Sequence, residues 1–268
     1  MTSDSRRIPL AVLLVLHGTK DRTGLAQAEE LCGKLCLSLA TWRGITVRMY
    51  PGFLQFARPS AEETLRSLVQ GGHVEKILVV PLMLLPGKHV KRDIPQLIED
   101  CLQRYGKQPG DIRIAPPLGV RLRLAMLARW RSDAAMERAG LTGLKRTDIA
   151  YIMVSTGSRE QEYMNEMKTV FTIAALADFG QKKLCFFSGE PKVEDALEEA
   201  AASGLSAAVV QPYLLFEGEM TNRLRQLLDA YRQRCPHIQW IQGDVLGPDE
   251  IVVQIASDNI EISLEEMF

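Results

Sequence analysis

No charge of one sign dominates this sequence: 32 Lys and Arg stand against 33 Asp and Glu, for a formal net charge of -1. Bulk attraction cannot hold a polyanion, and no basic stripe is present to hold a nucleic acid. An anionic ligand therefore needs a local cluster of cations. Cysteine is scarce and odd in number: Cys32, Cys36, Cys101, Cys185 and Cys235, none of them in a CxxC pair. This argues against a secreted disulfide framework and against a thiolate metal site. Cys32 and Cys36, four apart in a helical stretch, read as a core-facing pair. Neither half carries GxGxxG or GxxxxGK[ST] after its first strand, which removes the usual support for a nucleotide. No apolar run reaches the roughly 18 residues of a membrane span. The longest early run, Ile8 to Leu16, follows Arg6-Arg7 but is short, contains Pro9 and leads directly into His17-Gly18. It reads as a buried first strand rather than a signal peptide. The expected location is the cytoplasm.

What is present is an ordinary globular composition, 46% hydrophobic and 24% charged, on a chain long enough to bury a sizeable core. Apolar runs alternate with amphipathic stretches of helical period. Strands are expected near Ala11–Leu16, Ile45–Tyr50, Lys76–Leu85 and Ile112–Ala115. The helices between and after them fall near Gly24–Thr41, Ser60–Gln70, Val90–Tyr105 and Val120–Arg138. The pattern then restarts, with strands at Ile149–Val154, Lys183–Phe187, Ala207–Phe216 and Ile238–Gln242 and helices between them. Such alternation, with the almost wholly apolar third strand, implies parallel sheets covered on both faces.

Three anchors make the second half a copy of the first. His17-Gly18-Thr19 matches Thr156-Gly157-Ser158. Pro81 to Gly87 matches Pro212 to Gly218. Leu118-Gly119 matches Leu246-Gly247. The expected fold is α/β, with two tandem similar lobes at 1–140 and 146–268. Each lobe is a doubly wound, mainly parallel sheet flanked by helices.

The histidines are His17, His73, His89 and His237. His73 and His237 lie in turn contexts, beside Gly71-Gly72 and Pro236, and read as structural. His17 follows the first strand and His89 follows the third. The carboxyl ends of strands in a doubly wound sheet form the ligand crevice. Two imidazoles there would suit a divalent first-row metal and could also accept protons. Lys88, Lys91 and Arg92 surround His89, and cations sit poorly at a helix N-terminus, so an anionic ligand would explain them. Gly87 would let backbone approach a bulky planar ligand. In the second half Thr156 and Met220 occupy the positions of His17 and His89, so the site should be single.

At these residues the chain resembles the class II chelatases, in particular sirohydrochlorin chelatases of the CbiX/SirB type in their long, two-repeat form. The matching stretches are Leu16 to Asp21, Val79 to Pro95, and Ala115 to Gly119. The resemblance implies two similar lobes with a cleft between them. It also implies a lyase that inserts Co²⁺ or Fe²⁺ into sirohydrochlorin without ATP, on the way to cobalamin or sirohaem. His17 and His89 carry over as metal ligands and pyrrole-proton acceptors, and two imidazoles would also accept Ni²⁺. The metal is then a substrate, the partner is an anionic tetrapyrrole, and neither nucleic acid nor membrane is expected. A monomer whose repeats mimic a dimer is expected, with a homodimer as the alternative.

There is a departure from the family pattern. Where the family reads close to LELAEPS, this chain has Leu54-Gln55-Phe56-Ala57-Arg58-Pro59-Ser60, so Gln55 and Arg58 replace two acids. The second repeat keeps one, in Gly189-Glu190-Pro191. Arg58 is expected to bind a substrate carboxylate, beside Gln55. A non-catalytic tetrapyrrole or metal carrier on the same fold is the rival reading.

Overall fold

The structure is a computed structural model that describes residues 8–71, 74–105 and 111–268. His73 lies outside the described residues. In chain order the elements begin with β1 (Ile8–Leu16), α1 (Arg22–Ser38), β2 (Thr41–Trp42), β3 (Ile45–Thr46), β4 (Arg48–Phe53), α2 (Ala61–Gln70) and β5 (Val74–Pro81). A π-helical turn, His89–Asp93, then opens α3 (Ile94–Tyr105), followed by β6 (Asp111–Ile114) and α4 (Leu122–Arg138). The second half supplies β7 (Ile149–Ser155), α5 (Gln161–Ala174), β8 (Gln181–Phe186), α6 (Val193–Ala201), β9 (Ala207–Pro212), α7 (Glu219–Arg234), β10 (Gln239–Gln242) and α8 (Glu250–Glu265).

Two parallel four-stranded sheets result, ordered β4-β1-β5-β6 and β8-β7-β9-β10. The strand order is the same in both, as duplication requires. In the first sheet, Leu10 through Val15 are all 0% exposed, which only a strand covered on both faces achieves. Ala11, Leu13 and Val15 pack against Ala61, Leu65 and Leu68 of α2 and Ile94 and Cys101 of α3. α2 starts in a full capping box, Ser60 with Glu63. In the second sheet, Ala150, Ile152 and Val154 pack against α6 and α7 through Leu197, Leu224 and Leu228.

Several expected elements change. The strand expected from Ile45 to Tyr50 is interrupted. Thr41–Trp42 and Ile45–Thr46 form a small antiparallel hairpin whose turn residues Arg43 and Gly44 both have positive φ, 47° and 79°. An Arg-Gly turn of this kind carries a weaker sequence signal than Asn-Gly. The strand expected to reach Leu85 ends at Pro81. Leu82 and Leu85 stay buried but leave the ladder, and Leu82 N–H instead donates to Val15 O at 2.8 Å. Cys36 is exposed and only Cys32 is buried, so the two do not form a core-facing pair. α1 buries Leu31, Cys32 and Leu35, which places Cys36 outside its apolar stripe.

The chain forms two compact units, 1–119 with 248–268, and 120–247. In each unit one helix, α8 or α4, the last of its own repeat, comes from the other sequence repeat. α4 lies on α5, β9 and β10. Its buried Ser132 hydroxyl donates to Gln211 Oε1 at 2.8 Å, and its buried Arg129 bonds Asp133 and lies 4.5 Å over the Phe179 ring. α8 lies on α1 and β5. Asn259 donates to Pro117 O at 2.9 Å, the Ser38 and Ser257 hydroxyls are 2.9 Å apart, and Lys34 pairs with Glu250 at 3.1 Å. Of these, Arg129, Ser132, Ser257 and Asn259 are buried, and buried polar groups need such partners.

The turns after β1 and β7 show the duplication most directly. Gly18 and Gly157 have φ of 88° and 81°, and a Cβ on either would run into a backbone carbonyl oxygen, of Gln55 and Ser188 respectively. Gly247 also has a positive φ, 69°, but open space around it. Gly247→Ala should therefore cost only the left-handed penalty, about 1 kcal/mol. Gly157→Ala adds a clash with rigid backbone and should cost about 2 kcal/mol or more. Urea unfolding of the two variants checks this, and equal costs would show that the turn after β7 is not sterically closed.

Candidate metal site

β1 lies between β4 and β5, so the chain leaves β1 on one side and returns on the other. This reversal is the point at which ligands settle in open α/β sheets. His17 is the first residue past β1, and His89 opens the π-helical turn past β5. Their ring centroids are 4.9 Å apart at an interplanar angle of 71°.

Each imidazole has its Nδ1 on an oxygen. His89 Nδ1 donates to Asp93 Oδ2 at 2.6 Å, and His17 Nδ1 to its neighbour Gly18 O at 3.0 Å. A carboxylate and a carbonyl can only accept, so both Nδ1 atoms carry hydrogen and both Nε2 lone pairs are left to bind. An imidazole held at about 2.1 Å from a first-row ion has its ring centre about 3.2 Å away. Two such rings at a near-tetrahedral angle then have centres about 5 Å apart, close to what is found. Among the described residues no group of three or more His, Cys, Asp or Glu could hold a metal, so a bound ion would keep open positions.

The backbone supports both rings. Gln55 N–H donates to His17 O at 2.9 Å. Gly87 O accepts from Val90 and Lys91 N–H, both at 3.1 Å, and so closes the first turn. The π turn, in which Ile94 N–H reaches His89 O, places His89 and Asp93 four residues apart on one side. Single π turns recur at functional sites. Burial, with His17 and Lys88 adding to it, holds the His89 imidazole below its ordinary value, while the Asp93 bond opposes the shift.

The other expected site residues fall in several places. Lys88 Nζ lies 3.5 Å from Asp93 Oδ1. Lys91 and Arg92 are exposed on the π turn, and the Gln55 side chain is exposed in the loop between β4 and α2. Arg58 is 77% exposed and pairs with Glu63 of the α2 capping box, a partner the sequence reading did not foresee. Asp93 and Phe56 also went unrecognised. The signal for Asp93 was its spacing from His89, i and i+4. Phe56 carried none, because its nearness to His17 (6.1 Å between centroids) is tertiary.

Unit 120–247 has no imidazole at the equivalent positions. The Thr156 hydroxyl is bonded to Tyr163 Oη at 2.8 Å, which Ser155 also meets at 2.7 Å, and Met220 is exposed at the start of α7. His237 is exposed in the loop before β10.

Fold and site together define a class: duplicated parallel α/β proteins in which one copy holds an imidazole pair at neighbouring strand ends. The chain belongs to the CbiX family, whose model matches residues 11–135 and 150–263. The resemblance to class II chelatases of the CbiX/SirB type holds at this level. A sirohydrochlorin ferrochelatase of Priestia megaterium is 25% identical over 257 residues, which are 95% of this chain and 90% of that protein. A sirohydrochlorin cobaltochelatase of Saccharolobus islandicus is 40% identical over 119 residues, 41% of this chain and 83% of that one. In fold the chain is similar to SirB from Bacillus subtilis with Fe³⁺, at a TM-score of 0.74 and 19% identity over 94% of both chains. It is also similar to the sirohydrochlorin chelatase SirB from Bacillus subtilis subspecies spizizenii in complex with cobalt, at 0.73 and 20% over 96% of both. Among the described residues no helix is long and apolar enough to cross a membrane.

The sign of the His89 shift gives a pH expectation. The neutral ring is favoured, so NMR titration should place His89 below the ordinary 6.5. Asp93→Asn removes a group that raises the value, so His89 should titrate lower still. An unchanged or raised value in that variant would show that Asp93 does not act on the ring.

Proposed function

We propose that this chain inserts a divalent metal, Co²⁺ or Fe²⁺, into sirohydrochlorin or a closely related anionic tetrapyrrole, consuming no nucleotide. The observation that carries the reading is the imidazole pair, with centroids 4.9 Å apart and both Nδ1 atoms engaged. Insertion forms bonds from the macrocycle nitrogens to the metal and breaks two pyrrole N–H bonds. As the ion leaves the two Nε2 atoms, each vacated lone pair accepts one of the two pyrrole protons. Asp93, accepting from His89 Nδ1–H, stabilises the imidazolium formed on His89. Burial disfavours that charge on His89; both protons pass on to water, and the two rings are ready for another ion. The names of the relatives, sirohydrochlorin ferrochelatase and cobaltochelatase, support both the substrate and the two metals. Ni²⁺ also suits two imidazoles. The rim residues Arg58, Lys88, Lys91 and Arg92 bind acidic side groups of the macrocycle, with Gln55 and Gly87 beside it.

Gln55 and Arg58, standing where the family has acids, favour a second reading as a tetrapyrrole or metal carrier. A carrier must keep its cargo, whereas two ligands and open positions suit transfer, so insertion is the first reading. Mixing the protein with excess sirohydrochlorin and Co²⁺ and following the absorption spectrum separates the two. Many turnovers per chain are expected. His17→Ala and His89→Ala should each lower the rate about 100-fold or more while leaving the thermal transition in place, since neither ring belongs to the buried core. Product limited to one equivalent, or near-normal rates in both variants, would sink the proposal.

A second expectation concerns Arg58. Arg58→Glu should raise the KM for the tetrapyrrole and leave the KM for Co²⁺ alone. If turnover instead rises, position 58 is a lost acid site and its recognition role is wrong.

A further inference from the structure

Phe56 sits in the loop between β4 and α2, and both its backbone and its side chain are placed at a disadvantage. Its φ is 63°, in the left-handed region where a residue with a bulky side chain is a genuine outlier. Strain of this kind persists only where the surroundings impose it, and it clusters at binding sites. A buried ring could offset the cost by packing, but Phe56 is 56% exposed. The exposed phenyl ring therefore recovers little of that cost by burial.

The ring stands beside the imidazole pair. Its centroid lies 6.1 Å from that of His17, tilted by 45°, and His17 is itself 4.9 Å from His89. Lys20 Nζ lies 5.3 Å from the same ring centroid. An apolar aromatic surface therefore borders the imidazole pair, with an ammonium beside it. A ligand that uses all three features is flat, conjugated, anionic at its periphery and reactive at its centre. The geometry points to Phe56 as a specificity-determining residue that stacks against the tetrapyrrole plane and sets the macrocycle centre over the two histidines. Lys20 then meets a peripheral carboxylate. This rests on the proposed function and adds to it the element that chooses a conjugated macrocycle over other anions.

Stacking of a conjugated ring on an aromatic side chain is worth about a tenfold change in affinity or more. Phe56→Leu keeps the apolar bulk and removes the π face, whereas Phe56→Tyr and Phe56→Trp keep the face. Two measurements are made on each full-length variant: equilibrium binding of metal-free sirohydrochlorin by absorption titration, and steady-state insertion of Co²⁺. Phe56→Leu should weaken sirohydrochlorin binding and raise its KM about tenfold, with kcat and the KM for Co²⁺ within about twofold of the parent. Phe56→Tyr and Phe56→Trp should stay within about threefold of the parent. The inference is overturned if Phe56→Leu binds sirohydrochlorin as well as the parent. It is also overturned if the Leu, Tyr and Trp variants lose affinity equally, or if the KM for Co²⁺ rises with that for sirohydrochlorin. The proposed function fails separately. A parent protein that binds sirohydrochlorin without inserting metal is not a chelatase, yet a tenfold weakening by Phe56→Leu would still establish the stacking role. A parent that inserts metal with Phe56→Leu unchanged leaves the chelatase and removes the platform. A parent that does not bind sirohydrochlorin at all removes both.

Discussion

The parallel pairing of β1 with β5, in register from Leu10↔Lys76 to Val15↔Pro81, is the constraint on which the site depends. The two strands end level with each other, and the residues just past their ends, His17 and the loop leading to His89, open on the same side. Had β4 separated them, the imidazoles would stand two strand spacings apart, about 10 Å, too far to share an ion. The apolar character of β1 enforces the central position. A strand with both faces fully buried cannot lie at an edge without leaving its backbone groups unpaired.

The second copy keeps the frame and has lost the chemistry. The turn after β7 repeats the turn after β1 down to the glycine that a carbonyl oxygen crowds. The N–H to carbonyl bonds from Leu246 and Gly247 repeat those from Leu118 and Gly119. At the position of His17, Thr156 joins Ser155 and Tyr163 in a local hydroxyl cluster, and Met220 replaces His89. Hydroxyls satisfied by one another have little capacity left for an ion, so among the described residues unit 120–247 has no counterpart of the imidazole pair.

The features of the loop between β4 and α2 are linked. Arg58 pairs with Glu63, which also closes the α2 capping box through Ser60. Gln55 reaches His17 through its backbone N–H, and Phe56, between them, takes the strained backbone. The loop thus carries an amide, an aromatic ring and a cation at Gln55, Phe56 and Arg58.

Strand and helix alternation, the duplication, and the candidacy of His17 and His89 were all determined by the sequence alone. Each rests on local periodicity or on a motif that survives without coordinates. Asp93 was also within reach, four residues from His89, although spacing cannot reveal a π turn. Three things were decided by tertiary structure. The exchange of α4 and α8 between the compact units was invisible, because helical period shows which face is buried and not what covers it. The Arg43-Gly44 hairpin depended on paired positive φ values that few residue types announce. The approach of Phe56 to His17 depended on a loop closing from β4 onto the end of β1. Contacts between residues distant in sequence follow from which surfaces pack together, and no local pattern encodes that choice.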